Sequence, residues 1–239
     1  MSDTLIIIPA YNEGPRVAGL VSKVRSFSPG LDIVVVDDGS SDNTASEARS
    51  AGAAVLQLPF NLGYGGALQT GFRYALETGY RYAVQMDADG QHDPAYLEDL
   101  LRPVREGKAD VALGSRFMGL GDYKATVARS MGMKLFGGIA SAIIGRPVTD
   151  PTTGYQALDR EAIRFYASEF YPVDFPDADV LIMLHKAGMK TIEVPVVMHT
   201  REDGVSMHSG FKPVYYVFKM LLSIFVTILR RNRFRKTGG

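Results

Sequence analysis

Tyr82-Ala-Val-Gln-Met-Asp-Ala-Asp-Gly-Gln-His92 joins a short apolar run to a tail rich in carboxylates. The run is too short for a helix and suits a buried strand. Four others resemble it: Leu5–Ile8, Ile33–Val36, Ala54–Leu58 and Val111–Leu113. Near-continuous hydrophobicity is what strands covered on both faces require. Helical patterns lie between them. Pro15 suits a first turn, Thr44-Ala-Ser-Glu47 reads as a capping box, Gly79 stops a helix over Gly66–Thr78, and Pro94 opens one over 94–105. Strand–helix alternation at this spacing predicts an α/β protein with a mainly parallel central sheet flanked by helices.

The second half is less regular. It reads as a helix near 125–145, a loop over Arg146–Gly154, a short strand at Tyr155–Leu158, helices from about 160 and 177, and a strand at Thr191–Val197. At 239 residues and 46% hydrophobic, the chain can bury one large core, which excludes disorder. The absence of Cys excludes disulfides, thiolate metal sites and cysteine nucleophiles. Net charge is zero, which argues against a nucleic-acid partner, but the charge is unevenly placed. Residues 201–239 carry eight Lys/Arg against two acidic residues, so the preceding 200 are acidic. The opening Met1–Pro9 has no basic segment and too short an apolar run for a signal peptide, which predicts a cytoplasmic body.

Pro213–Arg230 holds thirteen apolar or aromatic residues in eighteen, with Lys219, Ser223 and Thr227 on one thin helical stripe. As a helix it would be about 27 Å long, just short of a membrane span. With Arg230, Arg231, Arg233, Arg235 and Lys236 at its end, it is expected to lie on an anionic membrane surface. Burial in a homo-oligomer is the plainer reading of the same pattern. The organisation is therefore a body, 1–210, and an appendage, 211–239.

Strand carboxyl ends are where an open α/β sheet binds ligands. After the first strand comes Pro9-Ala-Tyr-Asn-Glu13, which lacks the glycines of a dinucleotide or P-loop turn. After the second comes Asp37-Asp38-Gly39-Ser40. Tyr11 can stack on a base while Asp37 or Asp38 accepts its N–H groups, with Glu13 nearby; taken alone, Asp-Asp-Gly-Ser is also an ordinary turn and helix cap. Asp87, Asp89 and Gln91 supply hard oxygen ligands suited to Mg2+ or Mn2+, and such an ion neutralises a departing diphosphate. His185 and His199 read as packing residues, and neither His92 nor His208 is assigned a catalytic role.

Together, Ile8-Pro-Ala-Tyr-Asn-Glu13, Val35-Val-Asp-Asp-Gly-Ser40, Asn61-Leu-Gly-Tyr-Gly-Gly66, Asp87-Ala-Asp-Gly-Gln91 and Gly114-Ser-Arg116 resemble family 2 glycosyltransferases. Asp150-Pro-Thr-Thr-Gly-Tyr155 and Arg201-Glu-Asp-Gly-Val-Ser206 resemble later motifs of the subgroup that includes dolichyl-phosphate mannose synthases and bacterial polyprenyl-phosphate glycosyltransferases. The likeness spans roughly residues 4–206. It implies a GT-A fold, a nucleotide-sugar donor (GDP-mannose or a UDP-hexose), a divalent metal and inverting transfer to a polyprenyl phosphate. It also implies that Pro9, Tyr11, Glu13, Asp38 and Gly63 hold the nucleotide, and that Asp87, Asp89 and Gln91 hold metal and diphosphate. Arg116, Arg129, Arg201 and Ser206 fall where the subgroup gathers phosphate-binding groups; the plainer reading of Arg116 and Arg129 is ion pairing.

Two departures stand out. Met207-His208 replaces the subgroup's usual Lys after Ser206, and one helix stands where many relatives have two or more transmembrane helices, so the chain is expected to use the membrane surface or a membrane-protein partner. A phosphate acceptor needs no strong base. Transfer to a sugar or lipid hydroxyl would, with Asp177 and Asp179 as candidates. A non-catalytic nucleotide-sugar-binding subunit is the non-enzyme reading, and it would have no use for Asp87-x-Asp89.

Overall fold

The computed structural model describes residues 2–119, 127–172, 176–199 and 212–230, with side chains at 127–131 and 212–216 outside the description. Seven strands form one sheet: β1 (Thr4–Ala10), β2 (Asp32–Asp37), β3 (Ala54–Gln57), β4 (Tyr82–Gln85), β5 (Val111–Ser115), β6 (Gln156–Asp159) and β7 (Thr191–Pro195), in the order β3-β2-β1-β4-β6-β5-β7. All pairings are parallel except those of β6, which runs against both β4 and β5. The mainly parallel sheet expected from the apolar runs is present.

Helices α1 (Gly14–Phe27), α2 (Thr44–Ser50), α3 (Tyr64–Glu77), α4 (Leu97–Arg105, after a 3-10 turn at Pro94–Tyr96), α5 (Val127–Ile144), α6 (Arg160–Tyr166), α7 (Ala178–Lys186) and α8 (Lys212–Leu229) complete the chain. Two clusters cover the two sheet faces. One packs Leu5, Ile7, Val34 and Val36 against α3, α6 and α7; the other packs Ile6, Ile8, Ile33 and Val35 against α1 and α4. Successive strand residues thus enter opposite cores, which is why each run is apolar throughout.

Three local expectations change. The capping box does not form: Asn43 precedes α2, and Thr44 Oγ1 instead accepts the Glu13 N–H at 2.9 Å and donates to Asp42. α3 begins at Tyr64, two residues early, after Gly63 at φ 86°. β7 stops at Pro195 on the sheet edge, where a residue without an N–H is tolerated.

α8 is a larger surprise. Its expected polar stripe faces the protein: Ser223 donates to Asp179 Oδ2 in α7, and Thr227 is buried. Met220 and Ile224 pack with Phe136 of α5 and with Ala178 and Ile182 of α7. Lys186 Nζ caps the helix end, donating to the carbonyls of Thr227, Ile228 and Arg230 at 2.7–2.9 Å. Phe218, Leu221, Leu222, Phe225, Val226 and Leu229 are left exposed. No helix among the described residues is long and apolar enough to cross a membrane.

Helix α3 lies close on β1 and β2 because Gly71 has no side chain. A Cβ there would sit 2.4 Å from Ile7 Cγ2. Gly71→Ala should destabilise the fold by about 1–3 kcal/mol despite the better helix propensity of Ala, read from the urea midpoint.

Candidate active site

The site is built on one edge of the sheet. The carboxyl ends of β1, β2, β4 and β5 all point there, and the reversal of β6 brings its preceding loop, Asp150–Tyr155, to the same edge. Gln85 pairs with Gln156 across β4 and β6, so Asp87 and Gly154, each two residues further out, meet. A Cβ on Gly154 would lie 2.9 Å from both Asp87 Oδ2 and Tyr64 Oη. Only glycine leaves that space open.

On the nucleotide side, Pro9 is buried in β1 opposite Val36, and Tyr11 is 50% exposed. Asn12 adopts φ 54° and ties the two turns together, its N–H to Ser40 Oγ and its Oδ1 to the Ser41 N–H, both at 2.9 Å. Glu13 Oε2 takes the Arg16 guanidinium at 2.8 Å. Asp38 is buried and orders the next loop: Oδ1 accepts the Leu62 N–H at 2.7 Å and Oδ2 the Gly63 N–H at 2.9 Å. Burial raises its pKa against the pull of those two bonds. Asp37 Oδ1 accepts the Ser40 N–H at 3.0 Å, while its Oδ2 is buried with no partner among the described residues. The unpaired acceptor therefore belongs to Asp37.

On the diphosphate side, Asp87 Oδ1 accepts the Tyr64 hydroxyl at 2.7 Å, and its own N–H donates to His92 Nδ1 at 3.0 Å. Burial raises the Asp87 pKa; the Tyr64 hydrogen bond and the Arg116 charge oppose it. Asp89 Oδ1 accepts the Gln91 N–H at 3.0 Å. Gln91 is fixed by a two-way backbone and side-chain pairing with His199, its Nε2 donating to the His199 carbonyl at 3.2 Å, so its amide oxygen is the ligand atom on offer. Among the described residues no three His, Asp or Glu gather into a metal cage. Two carboxylates and an amide instead fit Mg2+ or Mn2+ shared with substrate phosphates.

His92, unassigned from the sequence, is buried, stacks 4.8 Å from Tyr155, and has its pKa lowered to about 4, chiefly by burial. It is neutral and acts as an acceptor that holds the backbone of Asp87. His199, read as packing, places Nε2 2.9 Å from Asp93 Oδ2. Tyr64 and Gly154 fall within the Asn61–Gly66 and Asp150–Tyr155 motifs and Gln85 within β4, but the contacts that give each of them a role are made only in the fold.

Arg116 departs from expectation. Its Nε and Nη2 grip Asp150 bidentately at 2.7 and 2.8 Å, and Nη2 also reaches Thr152 Oγ1 at 3.1 Å. The pair is buried, with side-chain exposures of 4% and 0%. It anchors the loop that carries Gly154. Asp179, a candidate base, is also corrected: it is fully buried and accepts from the Asp177 and Val180 N–H groups and from Ser223, and burial raises its pKa. The Arg129 side chain, Arg201, Ser206 and Met207-His208 lie outside the described residues.

The Glycosyl transferase family 2 model matches residues 5–166, more than half of the chain. The chain belongs to that family and is a glycosyltransferase. It is 34% identical to the polyprenol monophosphomannose synthase of Mycolicibacterium smegmatis, covering 91% of this chain and 85% of that protein. It is 35% identical to the undecaprenyl-phosphate mannosyltransferase of Micrococcus luteus, covering 86% and 87%. Among solved structures, a Pyrobaculum calidifontis mannosyltransferase in complex with GDP-Man and Mn2+ superposes with TM-score 0.65 at 18% identity, covering 96% of this chain and 64% of that one. Glucosyl-3-phosphoglycerate synthase of Mycobacterium tuberculosis, with Mn2+, UDP and phosphoglyceric acid, gives 0.65 at 20%, covering 98% and 80%. These likenesses establish the GT-A fold.

Removing one partner of a buried ion pair leaves an uncompensated charge, so Arg116→Met should cost about 3–5 kcal/mol of stability by chemical denaturation. Arg116→Met with Asp150→Leu should recover much of it. A single variant with wild-type stability but no turnover would return Arg116 to the phosphates.

Proposed function

We propose that this protein moves one sugar from a nucleotide diphosphate donor to a polyprenyl or dolichyl phosphate at the cytoplasmic face of a membrane. GDP-mannose is the favoured donor, since both relatives above are named for mannose transfer; a UDP-hexose is the other. The observation that carries the reading is the placement of Asp87-x-Asp89 and Gln91 beyond β4, on the edge where Asp37, Asp38 and Tyr11 emerge.

In this scheme Pro9, Tyr11, Glu13, Asp37, Asp38 and Gly63 form the nucleotide side. Asp87, Asp89 and Gln91 hold Mg2+ or Mn2+, which when bound neutralises charge on the departing diphosphate. An acceptor phosphate oxygen attacks the anomeric carbon, the bond from that carbon to the diphosphate oxygen breaks, and configuration inverts. The phosphate is already an anion at neutral pH, so no proton need be removed, and the burial of Asp179 takes nothing from the reaction. Arg129, Arg201 and Ser206 would hold the acceptor phosphate, because the planar guanidinium matches phosphate oxygens and keeps its charge. Arg116 contributes by fixing Asp150.

Residues 1–210 form the catalytic body and 211–239 the membrane contact. α8 supports that assignment by turning its apolar side outward, Phe218 and Phe225 being 65% and 58% exposed. In sequence it leads directly into Arg231, Arg233, Arg235 and Lys236, suited to anionic headgroups.

Asp89→Asn should lower transfer by at least about 100-fold, since charge stabilisation at the leaving group supplies several kcal/mol, with the melting temperature kept. The assay pairs GDP-mannose, UDP-glucose and UDP-N-acetylglucosamine with a polyprenyl phosphate; wild-type turnover in the variant would refute the metal site. The joint change Phe218→Ser, Leu222→Ser and Phe225→Ser alters only exposed side chains, so the fold should persist while flotation with anionic liposomes is lost. A change from dimer to monomer with lipid binding intact would make α8 an oligomer contact.

A further inference from the structure

Tyr64 opens α3 directly after Gly63, whose N–H is held by Asp38. From there its hydroxyl crosses to the other side of the site and stands 2.7 Å from Asp87 Oδ1 and 3.0 Å from Gln85 Nε2. One side chain thus spans from the loop ordered by the nucleotide-side carboxylate to the carboxylate assigned to the metal. A phenol has a single proton. Gln85 is 2% exposed and donates to the phenol oxygen, while its Oε1 is buried without a partner among the described residues. The phenol proton is then committed to Asp87.

Little else can occupy this space, because even a methyl group on Gly154 would sit 2.9 Å from the phenol oxygen. Asp87 is held by the phenol on Oδ1, by its own N–H on His92 and by the close backbone of Gly154. Oδ1 is thereby occupied, which leaves Oδ2, lying against Gly154 and 3.7 Å from His92 Nε2, as the oxygen for a cation.

We propose that Tyr64 is a positioning residue: its hydroxyl, locked by buried Gln85, fixes which oxygen of Asp87 meets the cation and links the loop held by Asp38 to the metal site. The inference rests on Asp87 being a metal ligand. It requires reciprocity, since nucleotide that settles the 60–63 loop tightens metal binding and metal tightens nucleotide binding by the same factor.

The test measures Mn2+ binding directly, by the electron paramagnetic resonance signal of free Mn2+ titrated into protein with and without GDP or UDP. Partners that orient a ligand typically change metal affinity by 10–100-fold. Tyr64→Phe, which keeps the ring, should weaken Mn2+ binding in the nucleotide complex by about 10-fold. Saturating Mn2+ should restore most of kcat, and the enhancement of Mn2+ binding by nucleotide should shrink. Gln85→Leu leaves the phenol in place and should give a smaller shift in the same direction, so the proposal stays testable if the first variant fails to fold. Unchanged Mn2+ affinity in a folded Tyr64→Phe, or lost turnover that excess Mn2+ does not restore, would overturn it. A wild type that binds no Mn2+ beside either nucleotide would instead bring down the metal reading on which it stands.

Discussion

Carboxylates cannot be crowded onto one sheet edge without donors to hold them, and this constraint organises the molecule. Asp37, Asp38, Asp87, Asp89 and Asp150 all belong to segments that end or begin strands on the same side. Each receives a donor, from backbone or from side chain. Asp38 takes two backbone N–H groups of the 60–63 loop, Asp37 and Asp89 take turn amides, Asp87 takes a phenol, and Asp150 takes a guanidinium. Hydrogen bonds to charged groups contribute roughly twice what neutral ones do, and a buried carboxylate without them is strongly disfavoured. The loops are shaped as they are because they deliver those donors.

The antiparallel β6 is the device that makes this possible. A parallel strand at that place would send Asp150–Tyr155 to the far edge of the sheet. Reversal lets Gly154 face Asp87, lets Asp150 meet Arg116 at the end of β5, and lets Tyr155 stack on His92. Asp87 is thus supported by Gly154 across the β4–β6 pairing and by Tyr64 from the start of α3, which is why a motif that looks self-contained in the sequence depends on distant segments.

α8 shows the same logic applied to a surface. An isolated helix with one polar stripe would turn that stripe to water. Here the stripe has partners on the body, Asp179 for Ser223 and buried surroundings for Thr227, while Lys186 satisfies the last carbonyls. Satisfying buried polar groups outweighs hiding apolar ones when something apolar is available outside. The outward Phe and Leu side chains are the surface on which the proposed membrane contact of this helix rests.

The sequence by itself determined the strands, most of the helices, the mainly parallel sheet and the strand ends carrying Asp37, Asp38, Asp87 and Asp89. These follow from local patterning: an apolar run of a few residues has no helical alternative when turn residues bound it. It also located the Asp150–Tyr155 motif and Arg116, but left the arginine between phosphate binding and ion pairing, because a guanidinium's partner is invisible until two strands are paired. Only the tertiary structure decided that Arg116 belongs to Asp150, that Asp179 is buried beneath α8, that Tyr64 holds Asp87, and that α8 faces outward with its apolar side. Each of those choices depends on contacts between residues well apart in the chain: 23 positions from Tyr64 to Asp87, 34 from Arg116 to Asp150 and 44 from Asp179 to Ser223. Hydrogen-bond geometry acts over about 3 Å, so only folding could bring such groups within its reach.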